Sequence, residues 1–128
     1  MADPKLTEGT LYINRDRDFR TGQWGEYVKI GIVRGDRNAA DRNLEHQTGN
    51  PREILTIHEL FSPMVEHLET QLHHRFASYW VHGEWFEMDE ETVDNLVLKE
   101  ASKIIAQQNE SLEDFQAKIE LKDTLSTD

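Results

Sequence analysis

Two short apolar segments near the start of the chain constrain its fold most. Residues 9–13 read Gly-Thr-Leu-Tyr-Ile, and residues 27–31 read Tyr-Val-Lys-Ile-Gly. Both are rich in β-branched and aromatic residues and are bounded by glycine or charged residues, which is typical of β-strands. Each places one polar side chain, Tyr12 or Lys29, among apolar neighbours. An antiparallel hairpin of these strands could bring a phenol and an amine onto one face, although the spacing alone does not prove the pairing.

The residues between these strands, 14–26, are predicted to form a long loop. They include three arginines and a tryptophan: Arg15, Arg17, Arg20 and Trp24. Two interpretations of the arginines stay open. They form either a loop that contacts phosphates or a solvent-exposed insertion whose charges cancel. Trp24 is either a base-stacking residue or, more commonly for such a tryptophan, a residue that packs its loop onto the domain.

A helix is predicted after the second strand. It ends at about Gln47, because residues 48–51 read Thr-Gly-Asn-Pro and form a stop signal. Arg42 and His46 are four residues apart and therefore share a face of this helix. A guanidinium and an imidazole on one face suit a phosphate, whereas an ordinary exposed amphipathic surface explains the same spacing.

A third strand is predicted at residues 53–61, followed by a helix that starts after Ser62-Pro63. Glu69 and His73 lie one turn apart beside the apolar stripe of this helix. They face a metal ion together, or they form an exposed Glu/His pair of the kind common on helices. Four apolar residues at helical spacing form the predicted buried stripe: Val65, Leu68, Leu72 and Phe76.

The rest of the chain is predicted to form an aromatic segment and a terminal helix. Residues 79–87 hold four aromatic side chains around Gly83, with Glu84 as either a supporting acid or a surface residue. Asp89 is the predicted cap of a long helix with a break near Asn109. Three roles stay open for this helix: packing on the core, binding a protein partner or second copy, or leading into a further domain.

Composition limits the classes of function. The chain has no cysteine, which excludes disulfides and thiolate metal sites. It contains no signal-peptide pattern and no apolar run long enough to span a bilayer, so a cytoplasmic protein without membrane contact is expected. The formal net charge of -11 disfavours long-range attraction to nucleic acid. Most of that charge lies in residues 87–128, so a local basic surface in the first part remains compatible with the sequence.

Five motifs follow one another in an order that resembles the GIY-YIG endonuclease superfamily, in its bacterial and phage variant with a Lys-Ile-Gly second signature. The resemblance covers roughly residues 9–88. It implies an α+β fold with a small three-stranded antiparallel sheet flanked by helices, here with an extra C-terminal helix. The motifs are Leu11-Tyr12-Ile13, Lys29-Ile30-Gly31, Arg42 with His46, Glu69 with Leu72-His73 and Phe76, and Gly83-Glu84-Trp85-Phe86.

The resemblance implies a DNA endonuclease that hydrolyses phosphodiester bonds with one Mg²⁺ or Mn²⁺ ion. Glu69 is the expected metal ligand, and Arg42 is expected to hold the phosphate. Tyr12 matches the usual base of the family, and His46 matches a residue that assists proton transfer. Lys29 is expected to lower the pKa of Tyr12 or, alternatively, to orient the water or contact the phosphate.

Further residues are assigned to the substrate and to support of the site. The expected substrate-binding residues are Arg15, Arg17, Arg20, Arg34 and Trp24. The expected supporting residues are His73 and Glu84. The final polar residue of the superfamily, often an asparagine, has no clear counterpart.

The predicted organisation is a polar leader at residues 1–8, a nuclease domain at 9–88 and an acidic helical extension at 89–128. The leading hypothesis is a DNA-cutting domain of phage biology, restriction or anti-phage defence. Two alternatives remain: an interaction module with the same fold and little activity, and an acidic DNA mimic that inhibits another nuclease through a protein contact.

Overall fold

The computed structural model describes residues 7–35 and 39–126, and the side chains of these except at positions 41, 44 and 122–126. Most of the predicted leader, residues 1–6, lies outside the described residues. None of the helices in the described ranges is long and apolar enough to cross a membrane. The elements in chain order are β1 (Gly9–Arg17), β2 (Trp24–Arg34), α1 (Ala39–Gln47), β3 (Glu53–Ser62), α2 (Val65–Arg75), a 3₁₀ turn (Ala77–Tyr79), β4 (Trp80–His82), β5 (Trp85–Glu87), α3 (Glu90–Thr92), a π-helical segment (Val93–Val97) and α4 (Leu98–Ser126).

The fold is α+β, with one antiparallel sheet in the order β3-β1-β2-β5-β4. The predicted class is therefore confirmed, but the predicted three-stranded sheet is wrong. The two additional strands, β4 and β5, come from the aromatic segment around Gly83. Each has only three residues, which is too short for an alternating pattern to reveal. Gly83 adopts a φ of 55° in the turn between them, a conformation that favours glycine.

The first two strands are longer than predicted, and the loop between them is shorter. β1 continues to Arg17 and β2 begins at Trp24, so the connection comprises residues 18–23 only. The predicted loop at 14–26 is wrong because the polar residues at its ends take part in the sheet. Asn14, for example, is fully buried and accepts a hydrogen bond from Thr56 Oγ1 at 2.7 Å.

Helices cover both faces of the sheet. The face that carries Leu11 and Ile13 packs against α2 and the start of the C-terminal helix, which forms the main core. The opposite face carries Tyr12 and packs against α1 at Ala39. The predicted buried stripe of α2 is confirmed, since its four residues all lie in the core: Val65, Leu68, Leu72 and Phe76.

The C-terminal helix packs on the core and then extends past it. Asp89 caps its start, as predicted, by accepting a hydrogen bond from Thr92 N at 2.8 Å. Gln108 is buried and bonds to Ser62 Oγ and to the carbonyl of Met64, which ties α4 to the start of α2. The helix continues without the predicted break at Asn109.

Between Phe115 and Leu121 the large apolar side chains of α4 face solvent. Phe115 and Leu121 are each 61% exposed, and Ile119 is 44% exposed. A partner or a second copy of the chain on this segment stays a prediction.

Replacing Leu72 by alanine is expected to lower the free energy of unfolding by about 2–5 kcal/mol, because this side chain is fully buried in the core. Urea denaturation measures the change. The matched control is Phe115→Ala, which removes a larger but mostly exposed side chain and should cost less than about 0.5 kcal/mol. Equal losses for the two variants would contradict the packing described above.

Candidate active site

The pair of central strands forms the floor of a polar cluster. Tyr12 is the register partner of Gly31, and its side chain is almost fully buried. Lys29 pairs with Asn14, two residues along each strand, so it lies on the same face of the sheet. A Cβ atom at Gly31 would overlap with the phenol oxygen of Tyr12 and would lie 3.0 Å from Glu84 Oε2. The phenol and the carboxylate therefore meet above a position that only glycine fits.

The backbone of Ile30 joins three elements at the edge of this cluster. β5 pairs with β2 only as far as Lys29. The next amide, Ile30 N, donates to the carbonyl of Glu84 at 3.0 Å. His73 Nε2 lies 2.9 Å from the Ile30 carbonyl and must be the donor, because a carbonyl only accepts. These bonds fix the Glu84 turn and α2 on the same stretch of β2.

Helix α1 is held against strand β3 by side-chain bonds to one residue. Asn43 Nδ2 donates to the Ile54 carbonyl at 2.9 Å, and Gln47 Oε1 accepts from Ile54 N at 2.7 Å. Arg42 and His46 of α1 contact the polar cluster, Arg42 at Tyr12 and His46 at Lys29. The predicted end of the helix at Gln47 is confirmed.

Lys29 lies between an imidazole and a carboxylate. Its Nζ is 3.0 Å from His46 Nε2 and 3.7 Å from Glu84 Oε2. Burial lowers the pKa of Lys29, although the Glu84 charge acts in the opposite direction. Burial also lowers the pKa of His46, and the charge of Lys29 lowers it further. His46 is therefore a neutral imidazole near pH 7, with Nε2 as the acceptor for the ammonium.

Tyr12 interacts with Arg42 rather than with Lys29. Burial raises the pKa of Tyr12 above its usual 10.0, although a hydrogen bond from Arg42 acts to lower it. The same bond is the main reason that the pKa of Arg42 is raised. The expected lowering of the Tyr12 pKa beside Lys29 is wrong, because desolvation outweighs the positive charge of Arg42, the cation that acts most on this group. Tyr12 is a protonated phenol at neutral pH.

Glu69 and Glu84 form a pair of carboxyl groups on the α2 side of the cluster. The pKa of Glu69 is raised to about 7, mainly by burial and in addition by the charge of Glu84 and a hydrogen bond with it. Glu69 Oε2 is buried without a hydrogen-bond partner, so the other oxygen makes the bond to Glu84. The protonated form of Glu69 is therefore favoured beside the Glu84 carboxylate when no cation is present.

The pair suits a hard divalent cation. Mg²⁺ typically binds one or two carboxylates and completes its shell with water and substrate oxygens. Within residues 7–35 and 39–126 no group of three or more His, Cys, Asp or Glu has the arrangement of a complete metal site. Among the described residues of the cluster, Glu69 and Glu84 are the carboxylates that could hold Mg²⁺ or Mn²⁺. The Nε2 of His73 is occupied by the Ile30 carbonyl, so His73 positions α2.

Two of the predicted substrate arginines are occupied by contacts within the protein. Arg15 is buried and donates to the carbonyls of Gly25 and Met88, both at 3.1 Å. Its assignment to phosphate contact is wrong, because its guanidinium links β1 to the segment after β5. Arg17 forms a bidentate pair with Glu53, 3.0 Å at the closest approach, on the edge strand β3.

The other predicted substrate residues lie nearer to solvent. Trp24 is partly exposed and stacks under Arg17, whose Cζ is 5.2 Å from the ring centroid. Arg20 is exposed in the connection between β1 and β2. Arg34 pairs with Glu66 and is close enough to Glu69 to oppose the rise in its pKa. Arg34 is thus the one predicted substrate-binding residue among the main electrostatic influences on the Glu69 carboxyl group.

Sequence reasoning missed the part that Asn14 plays in the cluster. Asn14 is the register partner of Lys29, and its side chain lies on the same face of the sheet as that of Tyr12. Asn14 Nδ2 is buried and has no hydrogen-bond partner. The two-residue spacing between Tyr12 and Asn14 would have placed both on one face of a strand, but the prediction of a loop at 14–26 removed Asn14 from the strand. The sequence also left the role of Glu84 open, and the structure places its carboxylate between Lys29 and Glu69.

A protein-family model described as the T5orf172 domain matches residues 9–101. The chain belongs to the T5orf172 domain family. The T5orf172 domain is phage-associated and is related to nuclease-type folds of the GIY-YIG and HNH-like kinds. Comparison with curated proteins and with solved structures finds no match for the chain.

The T5orf172 match contains every residue of the polar cluster and points to a nuclease-like or DNA-binding role. It ends at residue 101, close to the start of α4. The exposed apolar segment around Phe115 therefore lies beyond the T5orf172 match.

Replacing Glu69 by glutamine is expected to stabilise the fold at pH 8. Burial disfavours the ionised carboxylate, which therefore lowers the free energy of unfolding. This loss is fully present above pH 7 and disappears as the pH falls from about 7 to 4.5, because the folded protein then binds the proton. Solvent screening reduces the full cost, and we expect a gain of about 1–2 kcal/mol at pH 8. Urea denaturation at pH 8 and pH 4.5 measures it.

The matched control is Glu113→Gln, which changes an exposed carboxylate on α4. It should leave the free energy of unfolding nearly unchanged at both pH values. A Glu69→Gln variant that is no more stable than the unsubstituted protein at pH 8 would contradict the buried position of this carboxyl group.

Proposed function

We propose that this protein is a metal-dependent endonuclease that hydrolyses phosphodiester bonds in DNA by a GIY-YIG-like mechanism. The observation that carries the proposal is the cluster of side chains around Gly31. A phenol, an amine, a guanidinium, an imidazole and two carboxyl groups come from five elements and share one small volume. Its members are Tyr12, Lys29, Arg42, His46, Glu69 and Glu84.

Glu69 would hold the metal ion, with Glu84 beside it. The unpartnered Glu69 Oε2 and the raised pKa of Glu69 beside Glu84 support this assignment. Mg²⁺ or Mn²⁺ bound there would neutralise the phosphate and stabilise the leaving oxygen. Among the residues of α2, His73 would keep Glu69 in place through its bond to Ile30.

Arg42 would bind the scissile phosphate. Its Nε is buried without a partner, while Nη1 contacts Glu45 at 3.0 Å and the guanidinium also bonds to Tyr12. A guanidinium held on two sides has little freedom to lose when it binds a phosphate oxygen. Such a preorganised donor stabilises charge that develops in the transition state.

The pair of Lys29 and His46 would accept the proton of the attacking water. His46 is neutral near pH 7, and the lowered pKa values of both groups disfavour two positive charges. The pair therefore favours one proton over two, and it can take the proton of the water when Lys29 is neutral, a form that its lowered pKa makes more accessible. Tyr12 is a poor base near pH 7 because its pKa is raised. We assign to its hydroxyl the orientation of the water or of a phosphate oxygen.

The acidity of the chain is compatible with a DNA substrate. Residues 87–128 contain 12 of the 25 acidic residues and 4 of the 14 basic residues. Five of these acidic residues and none of the basic residues lie at positions 87–94, whereas α4 carries six acidic and all four basic residues. The cluster itself presents Arg42 and Lys29, so local attraction to phosphate is retained. Long-range attraction is weak, and low salt is expected to help binding less than it does for basic nucleases.

Plasmid nicking in Mg²⁺ or Mn²⁺ is the decisive measurement. The unsubstituted protein is expected to nick supercoiled DNA, and Glu69→Gln is expected to lower the rate by at least about 100-fold because the metal ligand is lost. Arg42→Ala should have a similar effect through loss of phosphate binding. Glu113→Gln, the same chemical change on α4, should cut at the normal rate.

Equal nicking by the protein and by Glu69→Gln would place the activity elsewhere. Absence of nicking by the unsubstituted, folded protein in either metal would favour an interaction module with the same fold.

Metal affinity should depend on pH through Glu69. The carboxyl group must lose its proton to bind a cation, and its pKa in the metal-free protein is about 7. We expect the affinity for Mn²⁺ to rise about tenfold for each pH unit between pH 5 and 7 and then to level off. Calorimetric titration measures it. An affinity that stays constant across this range, or that survives Glu69→Gln, would overturn the ligand assignment.

A further inference from the structure

A cleft with a volume of about 300 Å³ opens on the α1 face of the sheet, next to the polar cluster. β2, β4 and β5 contribute its aromatic wall, and β1, β3 and the end of α1 contribute the opposite side. The residues that matter here are Tyr27, Trp85, Ile54, Asp16 and Asn50. Nothing in the proposed hydrolysis uses this cleft.

The lining of the cleft is mostly apolar, with a few polar groups at fixed positions. Tyr27 is 40% exposed, although it lies in the middle of an ordered strand. The carboxylate of Asp16 is held by Arg52, so the cleft is not simply an anionic site. Asn50 is held by the amide of Arg52, which donates to its Oδ1 at 2.9 Å. Apolar walls with a few oriented polar groups are typical of sites for small planar ligands.

The cleft and the polar cluster share strand residues. Trp85 is the register partner of Lys29, and Tyr27 lies two residues before Lys29 on the same face. Two residues along a strand correspond to about 7 Å. The cleft is therefore close enough to Lys29 for one nucleotide to place its base in the cleft and its phosphate near Lys29.

We propose that the cleft binds one unpaired nucleobase next to the scissile phosphate, so that the substrate class is DNA with an unpaired or flipped nucleotide at the cut site. This inference rests on the proposed function and specifies its substrate. Tyr27 and Trp85 supply the surface against which the base stacks. Asn50 offers its side-chain amide to the polar edge of the base, since its Oδ1 already accepts from Arg52 N.

A paired base cannot reach this position. Bases inside a duplex present only their edges in the grooves, and enzymes that enclose a whole base act on single strands or flip the nucleotide out. Aromatic stacking tolerates all four bases, and its loss on alanine substitution corresponds to roughly 5- to 100-fold in affinity. The volume of the cleft is at the lower end of small-molecule sites, which suits one base rather than two.

Cleavage of three matched DNA duplexes tests the proposal with the full chain in Mn²⁺. One is fully paired, one carries a single unpaired nucleotide, and one carries an abasic residue at that position. The expected result is cutting beside the unpaired nucleotide about tenfold faster than in the other two substrates. Tyr27→Ala should remove this preference, whereas Tyr27→Phe keeps the ring and should retain it. Thermal melting verifies that both variants are folded.

A binding measurement separates this inference from the proposed hydrolysis. The Glu69→Gln protein is titrated with the same duplex carrying 2-aminopurine as the unpaired base, whose fluorescence is quenched on stacking. Saturable quenching is expected, with loss in Glu69→Gln/Tyr27→Ala and retention in Glu69→Gln/Tyr27→Phe.

Each outcome is decisive. Quenching without cleavage by the unsubstituted protein supports the base site and overturns the proposed hydrolysis. Equal cleavage of all three duplexes, with Glu69→Gln inactive, supports hydrolysis and overturns the base site. Absence of quenching, or quenching that does not change in Tyr27→Ala, also overturns the base site.

Discussion

The geometry of the site depends on the two backbone groups of one residue, the N–H and the C=O of Ile30. At this residue β2 loses its neighbour β5, and an open strand edge would leave a donor and an acceptor without partners. The Glu84 carbonyl takes the donor and His73 takes the acceptor. Satisfying these two backbone groups fixes the β4–β5 turn and helix α2 on the same point of the sheet. Glu84 and Glu69 meet because both segments are anchored there.

The cluster that results is costly for the fold. A buried carboxyl group with a pKa near 7, an amine and an imidazole with lowered pKa values, and three unpartnered atoms on Arg42, His46 and Glu69 all reduce stability. Their cost is offset by the apolar core on the opposite face, where the side chains of α2 and the C-terminal helix are fully buried. Strain and unsatisfied polarity of this kind are concentrated at functional sites. The same atoms are those that a phosphate and a cation would satisfy.

Local sequence patterns predicted the elements that carry the site, and long-range contacts decided the rest. Tyr12 and Lys29 could be placed on strands, and Glu69 on a helix, because each lies beside a regular apolar pattern. The burial of Arg15 could not be predicted, since one of its acceptors, the carbonyl of Met88, lies 73 residues away. The strands β4 and β5 are too short to leave a pattern. The direction in which the pKa of Tyr12 shifts depends on how deeply the ring is buried, which is a property of the assembled sheet.

The way that α1 is attached has a consequence for the protein in concentrated solution. Edge strands with free backbone groups are templates for pairing with other chains and for aggregation. On β3, one edge of the sheet, Asn43 and Gln47 occupy both backbone groups of Ile54. The other edge, β4, has only three residues and offers little length for pairing. Helix α1, which carries Arg42, therefore closes the Ile54 end of the β3 edge to pairing with another strand.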